Sequence, residues 1–194
     1  MILLRQYEEE LDKLHHVLDL CPDELWESSL WKVERAERWI WPRDEKGELI
    51  ESTDRTEASI QVFSAFWYRA YHCLFYLDLY LSSDSTGFKT PAPFGGTDEH
   101  SVDEQMAAVF PNRVYSKGEL LAYLTHGRRK AQAVIPALTE QDIRRPCEGG
   151  HPWVGQTFNT LLRINLKHLR EHRIQLDKFL LKSAQPQATV RGLP

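Results

Sequence analysis

No run in this 194-residue chain approaches the 18 or more apolar residues of a membrane-spanning helix, so a membrane partner is not expected. The N-terminus, MILLRQYEEELDKLHH, meets Arg5 and then Glu8 and lacks the apolar region of a signal peptide, which predicts a cytoplasmic location. Cysteine is scarce. Cys21, Cys73 and Cys147 lie far apart and form no CxxC, which argues against a disulfide framework or a zinc-thiolate knuckle and predicts free thiols. A basic surplus is missing as well: 24 Lys and Arg stand against 28 Asp and Glu, a net charge of -4 that leaves no footprint for nucleic acid. HExxH is absent, which removes the simplest metalloprotease, and no predicted helix carries the ExxH of carboxylate-bridged di-iron bundles. Convincing strand alternation and internal repeats are also absent. The apolar fraction of 42% and charged fraction of 27% are those of an ordinary globular domain.

What is present is helical. Thr157 to Lys182, TFNTLLRINLKHLREHRIQLDKFLLK, has no Pro or Gly and repeats its apolar residues at three and four, which predicts a long amphipathic helix. At about 100° per residue, Leu161, Asn165, His168, His172, Gln175 and Phe179 share one stripe, beside a row of leucines. Two imidazoles at i and i+4 can bind one metal ion, with a third ligand supplied by another helix. Two half-covered histidines bonded to ordinary neighbours have the same spacing.

The rest of the chain supplies three more helices. Residues 2 to 20 show an apolar face of Leu3, Leu4, Tyr7, Leu11, Leu14, Val17 and Leu18, ended by Cys21 and Pro22. His15 and His16 at its end read as dipole-favoured caps. A long connection from 23 to 54 crowds Trp26, Trp31, Trp39 and Trp41 together, as a lid, a dimer contact or the anchor of a crossover. Residues 57 to 82 predict a second helix, apolar almost all round, capped by Thr53, Asp54 or Thr56. Tyr68, His72 and Tyr76 fall on one of its stripes, and a buried imidazole there needs a partner for each ring nitrogen, a tyrosine hydroxyl or a metal. A loop from 83 to 115 is expected to hold a short helical piece near 102 to 109 and a solvated AspGluHis cluster at 98 to 100. Ser116 and Glu119 form a capping-box pattern for a third helix, whose Arg128, Arg129 and Lys130 read as a solvated basic face. ThrGluGlnAsp at 139 to 142 predicts a short capped turn, and His151 lies in the following loop.

Four long amphipathic helices predict an all-α four-helix bundle, one domain over 1–183 with a poorly ordered tail at 184–194. Three histidines from two helices leave an open position for water or substrate, as in catalytic zinc sites.

WYRAYHCLFYLDLYL at 67 to 81, VYSKGELLAYLTHGRRKA at 114 to 131 with LTEQDI at 138 to 143, and NLKHLREHRIQL at 165 to 176 resemble the DinB-like (DinB/YfiT) superfamily over most of the chain. The resemblance implies a divalent metal, zinc or nickel with iron or manganese as alternatives, held by His72, His168 and His172. It implies a thiol-dependent transferase that conjugates or isomerises a small molecule with a low-molecular-weight thiol co-substrate, or a related metal-assisted hydrolase. Tyr68, Tyr76 and Gln175 are expected to bind substrate; no catalytic residue is assigned. The chain departs from the commoner HDxYHxGQI form, with Leu169 in place of Asp, Glu171 of Tyr and Ile174 of Gly. The rival expectation is a non-enzymatic bundle with structural or vestigial histidines, acting through self-association as a homodimer or through partner binding.

Overall fold

A computed structural model of the chain describes residues 2–32, 62–82, 88–94, 111, 113–147 and 155–184. The described residues contain helices α1 (Ile2–Leu20), α2 (Asp23–Trp26), α3 (Phe66–Tyr80), α4 (Lys117–Ala137), α5 (Glu140–Arg144) and α6 (Phe158–Ser183), with a 3-10 turn at Val62–Ser64 before α3 and no strand. The all-α bundle follows from the residues that face inward. α1 buries Tyr7, Leu11, Leu14 and Leu18 at a three-four spacing, each worth roughly 1.5–3 kcal/mol of transfer free energy.

Each long helix packs against two of the others: α1 against α4 and α6, and α3 against α4 and α6. Cross-helix bonds give the directions. Asp12 meets Arg128 and Glu8 meets Gln132, so α1 and α4 are antiparallel. Tyr7 meets the Leu162 carbonyl and Glu10 meets Arg170 and Arg173, so α1 and α6 run parallel. Leu77 lies beside Asn165 and Cys73 beside Leu169, which sets α3 antiparallel to α6. The order is therefore up, down, down, up. A parallel α3–α4 pair requires a long crossover between them, and the long segment between Ser82 and Ser116 supplies it.

The apolar character of α3 has a packing cause. Thirteen of its fifteen residues are buried, yet the bundle covers only two of its sides. Connections cover others: Trp26 of α2 packs on Phe66 at 5.7 Å, and Phe94 stacks near Tyr71 at 6.1 Å and on Tyr123 at 4.4 Å. Trp26 also donates its indole N–H to the Tyr115 carbonyl at 2.8 Å. Where α3 meets α4, Gly127 allows a close approach, since a Cβ there would lie 2.7 Å from Leu77 Cδ2.

Most helix ends agree with the sequence. The Ser116 hydroxyl accepts from Glu119 N while the Glu119 carboxylate accepts from Ser116 N at 2.8 Å, and Thr139 and Asp142 repeat the device on α5. α6 starts where Thr157 Oγ1 accepts from Thr160 N at 3.2 Å. The start of α3 differs. The expected helix from residue 57 begins at Phe66, because Ala65 is held extended in a bridge to Ser29, with Leu30 N donating to Ser64 O at 2.7 Å and Phe66 N to Ser28 O at 3.0 Å. Thr53, Asp54, Thr56, the 102–109 piece and the AspGluHis cluster lie outside the described residues, as do Trp39, Trp41, His151 and the tail beyond Ala184.

The basic turn of α4 is a second correction. Lys130 does not face solvent: its ammonium donates to Asp78 Oδ1 at 2.5 Å, to the Asp78 carbonyl at 2.8 Å and to Ser82 Oγ at 2.8 Å. Arg128 reaches across to Asp12 at 2.7 Å. A buried acid on α3 fixes the lysine, and no local spacing on α4 announces that. No described helix is long and apolar enough to cross a membrane.

Candidate metal centre

His72 projects from α3 and His168 and His172 from α6. Their mutual register is set by two α3–α6 contacts alongside them: Asn165 Nδ2 donates to the Leu77 carbonyl at 3.1 Å, and Cys73 Sγ lies 3.8 Å from the Leu169 carbonyl. Next to the second of these contacts the three rings meet. His72 Nε2 is 3.2 Å from His168 Nε2, and His172 Nε2 is 2.9 Å from the same atom. Ring nitrogens of all three lie within 4.8 Å of one another. Two imidazole nitrogens bound tetrahedrally to one zinc-sized ion sit ~3.3 Å apart, from a metal–nitrogen distance of ~2.0–2.1 Å. The spacing found is close to that value.

Protons satisfy this arrangement less well than a cation does. Gln175 Oε1, an acceptor, lies 2.8 Å from His172 Nδ1, so that nitrogen carries the hydrogen and Nε2 presents its lone pair to the centre. One ring proton can then bridge only one of the two short contacts at His168 Nε2. His168 Nδ1 is buried without a hydrogen-bond partner among the described residues, whereas His172 is oriented by Gln175.

The rings are uncharged near neutrality. Burial holds His72 well below the usual imidazole range, helped by the charges of His172, Arg69 and His168. Burial, His172 and Arg69 bring His168 down to about 3. Burial and Arg69 bring His172 down to about 4, against the opposing effect of the hydrogen bond His172 donates to Gln175. Each lone pair is thus available to a cation without prior deprotonation at pH 7.

Aromatic rings wall the centre. Tyr76 is half-buried, its ring 4.7 Å from His72 and 5.3 Å from His168. Its hydroxyl makes no hydrogen bond among the described residues, and burial pushes it up to about 12, so it stays protonated. Tyr68 is buried, its ring 6.2 Å from His72 and 5.1 Å from Phe63. The three expected ligands and Tyr68, Tyr76 and Gln175 therefore lie together. His15 and His16 are exposed on α1, and His126 sits on α4 with Nε2 3.4 Å from Asp78 Oδ1. Glu171 is exposed and pairs with Lys167 at 3.7 Å. A cavity of about 680 Å3 lies elsewhere, lined by Glu140, Gln141, Asp142, Arg144, Arg145 and Pro146 at the α5 corner, and includes none of the histidines.

Arg69, Asp78 and Glu10 are absent from the sequence reading. The first two had a signal, since each is a charged residue within an otherwise apolar helix. Arg69 is 4% exposed, donates Nη2 to the Phe63 carbonyl at 3.1 Å and lies over the Trp31 ring at 4.8 Å.

With this geometry in hand, comparison with known families is decisive: the family model described as the DinB superfamily matches residues 6–176. The chain belongs to the DinB superfamily. Neither the curated proteins nor the solved structures compared with it give a match. The three-histidine group of this DinB-superfamily chain fits a metal-binding site.

Proposed function

We propose that His72, His168 and His172 hold one divalent ion, zinc or nickel before iron or manganese, and that the centre serves a small-molecule transferase reaction joining a low-molecular-weight thiol to an electrophile. Metal-assisted hydrolysis is the variant with water in the thiol's place. One observation carries the reading: three Nε2 atoms converge from two helices, two of their separations being 3.2 and 2.9 Å. A divalent ion supplies Lewis-acid activation, lowering the pKa of a thiol or water that joins it.

The chain's own residues do the rest. Gln175 fixes the His172 tautomer that offers its Nε2 lone pair. Burial keeps all three imidazoles neutral and ready to ligate. Tyr76, protonated and unengaged, can donate a hydrogen bond to substrate, while Tyr68 and the neighbouring rings exclude water from one side.

Metal analysis of untagged protein is expected to find one divalent ion per chain, and none in His72→Ala. Turnover of a thiol with an electrophile should require that ion. Metal at one per chain with no turnover across a broad thiol panel would favour a structural site. A wild-type protein that takes up no divalent ion sinks the proposal.

A further inference from the structure

Four polar side chains follow one another along the inner stripe of α6, and one of them has no role so far beyond packing. Asn165, His168, His172 and Gln175 are spaced by three, four and three residues. Gln175, three residues after His172, accepts the Nδ1 hydrogen of that ring at 2.8 Å. Asn165 stands in the mirror position, three residues before His168. It is fully buried. Its Nδ2 donates to the Leu77 carbonyl at 3.1 Å, which fixes the donor end of the amide and leaves Oδ1 as a buried acceptor with no hydrogen-bond partner among the described residues. A seam peg would need only the donor end, and an amide oxygen left unpaired in a core is costly. One turn on, His168 Nδ1 is buried and equally without a partner. When His168 Nε2 offers its lone pair to an ion, the ring hydrogen sits on Nδ1 and requires an acceptor. A buried donor and a buried acceptor, each unpaired, thus occupy adjacent turns of one helix, where Cβ atoms are ~5–6 Å apart. Helical side chains lean toward the N-terminus, so the His168 ring leans toward the turn that carries Asn165. The two atoms do not bond each other directly. Buried water typically joins polar groups left in this relation.

We infer that Asn165 is the positioning residue of His168: its Oδ1 takes the Nδ1 hydrogen through one buried water, as Gln175 takes that of His172 directly, and so keeps Nε2 turned to the ion. α6 then carries two ligands and an amide for each, in the order Asn165, His168, His172, Gln175. An imidazole whose second nitrogen donates to an acceptor is fixed in tautomer and orientation and is a more basic ligand. The same amide serves the seam through Nδ2 and the centre through Oδ1, which couples the register of α3 against α6 to the aim of a ligand. The inference rests on the metal reading above and adds an outer-shell residue to it.

The test uses the full-length protein, with zinc affinity read by competition against a chromophoric chelator and the stability of the metal-free protein read by urea unfolding. Asn165→Leu removes both ends of the amide and is expected to lower stability and to weaken zinc binding about 10–100-fold. Asn165→Asp keeps an acceptor oxygen, so zinc affinity should return close to the wild-type value while stability stays lowered. Tyr7→Phe deletes the buried bond to the Leu162 carbonyl, one turn before Asn165, and should lower stability with zinc affinity unchanged. NMR of the zinc-loaded protein carrying 15N-labelled histidine reads the tautomer itself. It should show the His168 hydrogen on Nδ1, exchanging slowly with solvent in the wild type and faster in Asn165→Leu. Should Asn165→Leu fail to fold, the wild-type spectrum decides. Zinc affinity unchanged in Asn165→Leu, affinity not restored in Asn165→Asp, affinity falling in step with stability in all three variants, or a His168 ring with its hydrogen on Nε2 overturns the inference and leaves the metal reading standing. A wild-type protein that takes up no divalent ion overturns the metal reading and the inference together.

Discussion

Two polar clusters lie on opposite sides of α3, six residues apart, and they are built on contrary principles. On the α4 side, Asp78 accepts from Lys130 at 2.5 Å and from the Tyr123 hydroxyl at 3.2 Å, with His126 Nε2 3.4 Å away. Burial and Asp78 push the Tyr123 phenol far up, so it stays a donor. On the α6 side, three neutral imidazoles point nitrogens at one another with no acid in the group. The first cluster finds its partners within the protein; in the second, His168 Nδ1 has no hydrogen-bond partner among the described residues. Glu10 between α1 and α6 is of the first kind. Burial alone would raise its carboxyl, yet hydrogen bonds from Arg173, Lys13 and Arg170 outweigh that and leave it lowered. Buried polarity alone therefore does not mark a functional site. Polarity left without internal compensation does.

The contrast can be broken most forcefully at Asp78. Asp78→Ala strands the half-buried Lys130 ammonium, and loss of one partner from a buried pair costs about 3–5 kcal/mol, an upper bound here. Urea unfolding should show that loss, while metal stoichiometry in the folded fraction stays at the wild-type value. Loss of metal with intact stability would mean that the two clusters are not separate devices.

Next in size is the pH response of metal-free protein. Imidazoles whose folded pKa lies below the unfolded value of 6.5 contribute stability that is fully present above pH 6.5. That contribution is lost as pH falls toward about 4 for His172 and about 3 for His168. Unfolding free energy measured at pH 7 and pH 4.5 should drop more in the wild type than in a variant combining His72→Leu, His168→Leu and His172→Leu. Equal drops would mean that the rings are not buried neutral.

Smallest is the effect of Gln175→Leu. Removing an outer-shell hydrogen bond typically lowers metal affinity about 10–100-fold, with little change in the metal-free protein because Gln175 is exposed. Competition with a chromophoric chelator reads this directly. An unchanged affinity would reduce Gln175 to an incidental neighbour of His172.

Much of the fold was legible because it is local. Residues 2 to 20, the Ser116–Glu119 and Thr139–Asp142 caps, and the helix after Thr157 are specified by spacing and side chains within a turn or two. The i, i+4 pair at His168 and His172 belongs to the same class. α3 was legible as an apolar helix but not in its starting point, since the Ser29–Ala65 bridge joins residues 36 positions apart in the sequence. Lys130 reads as a surface residue until Asp78 is placed beside it. Arg69 and Glu10 likewise gain meaning only from neighbours on other segments.

By itself, then, the sequence determined which segments are helices, which of their faces turn inward and that two histidines share one of those faces. Whether His72 meets that pair depended on the rotation and axial register of α3 against α6, which Asn165 and Leu77 help to set across the seam. The physical reason is that helical periodicity and capping act over a few residues, whereas the relative register of two helices is a property of their packed surfaces together.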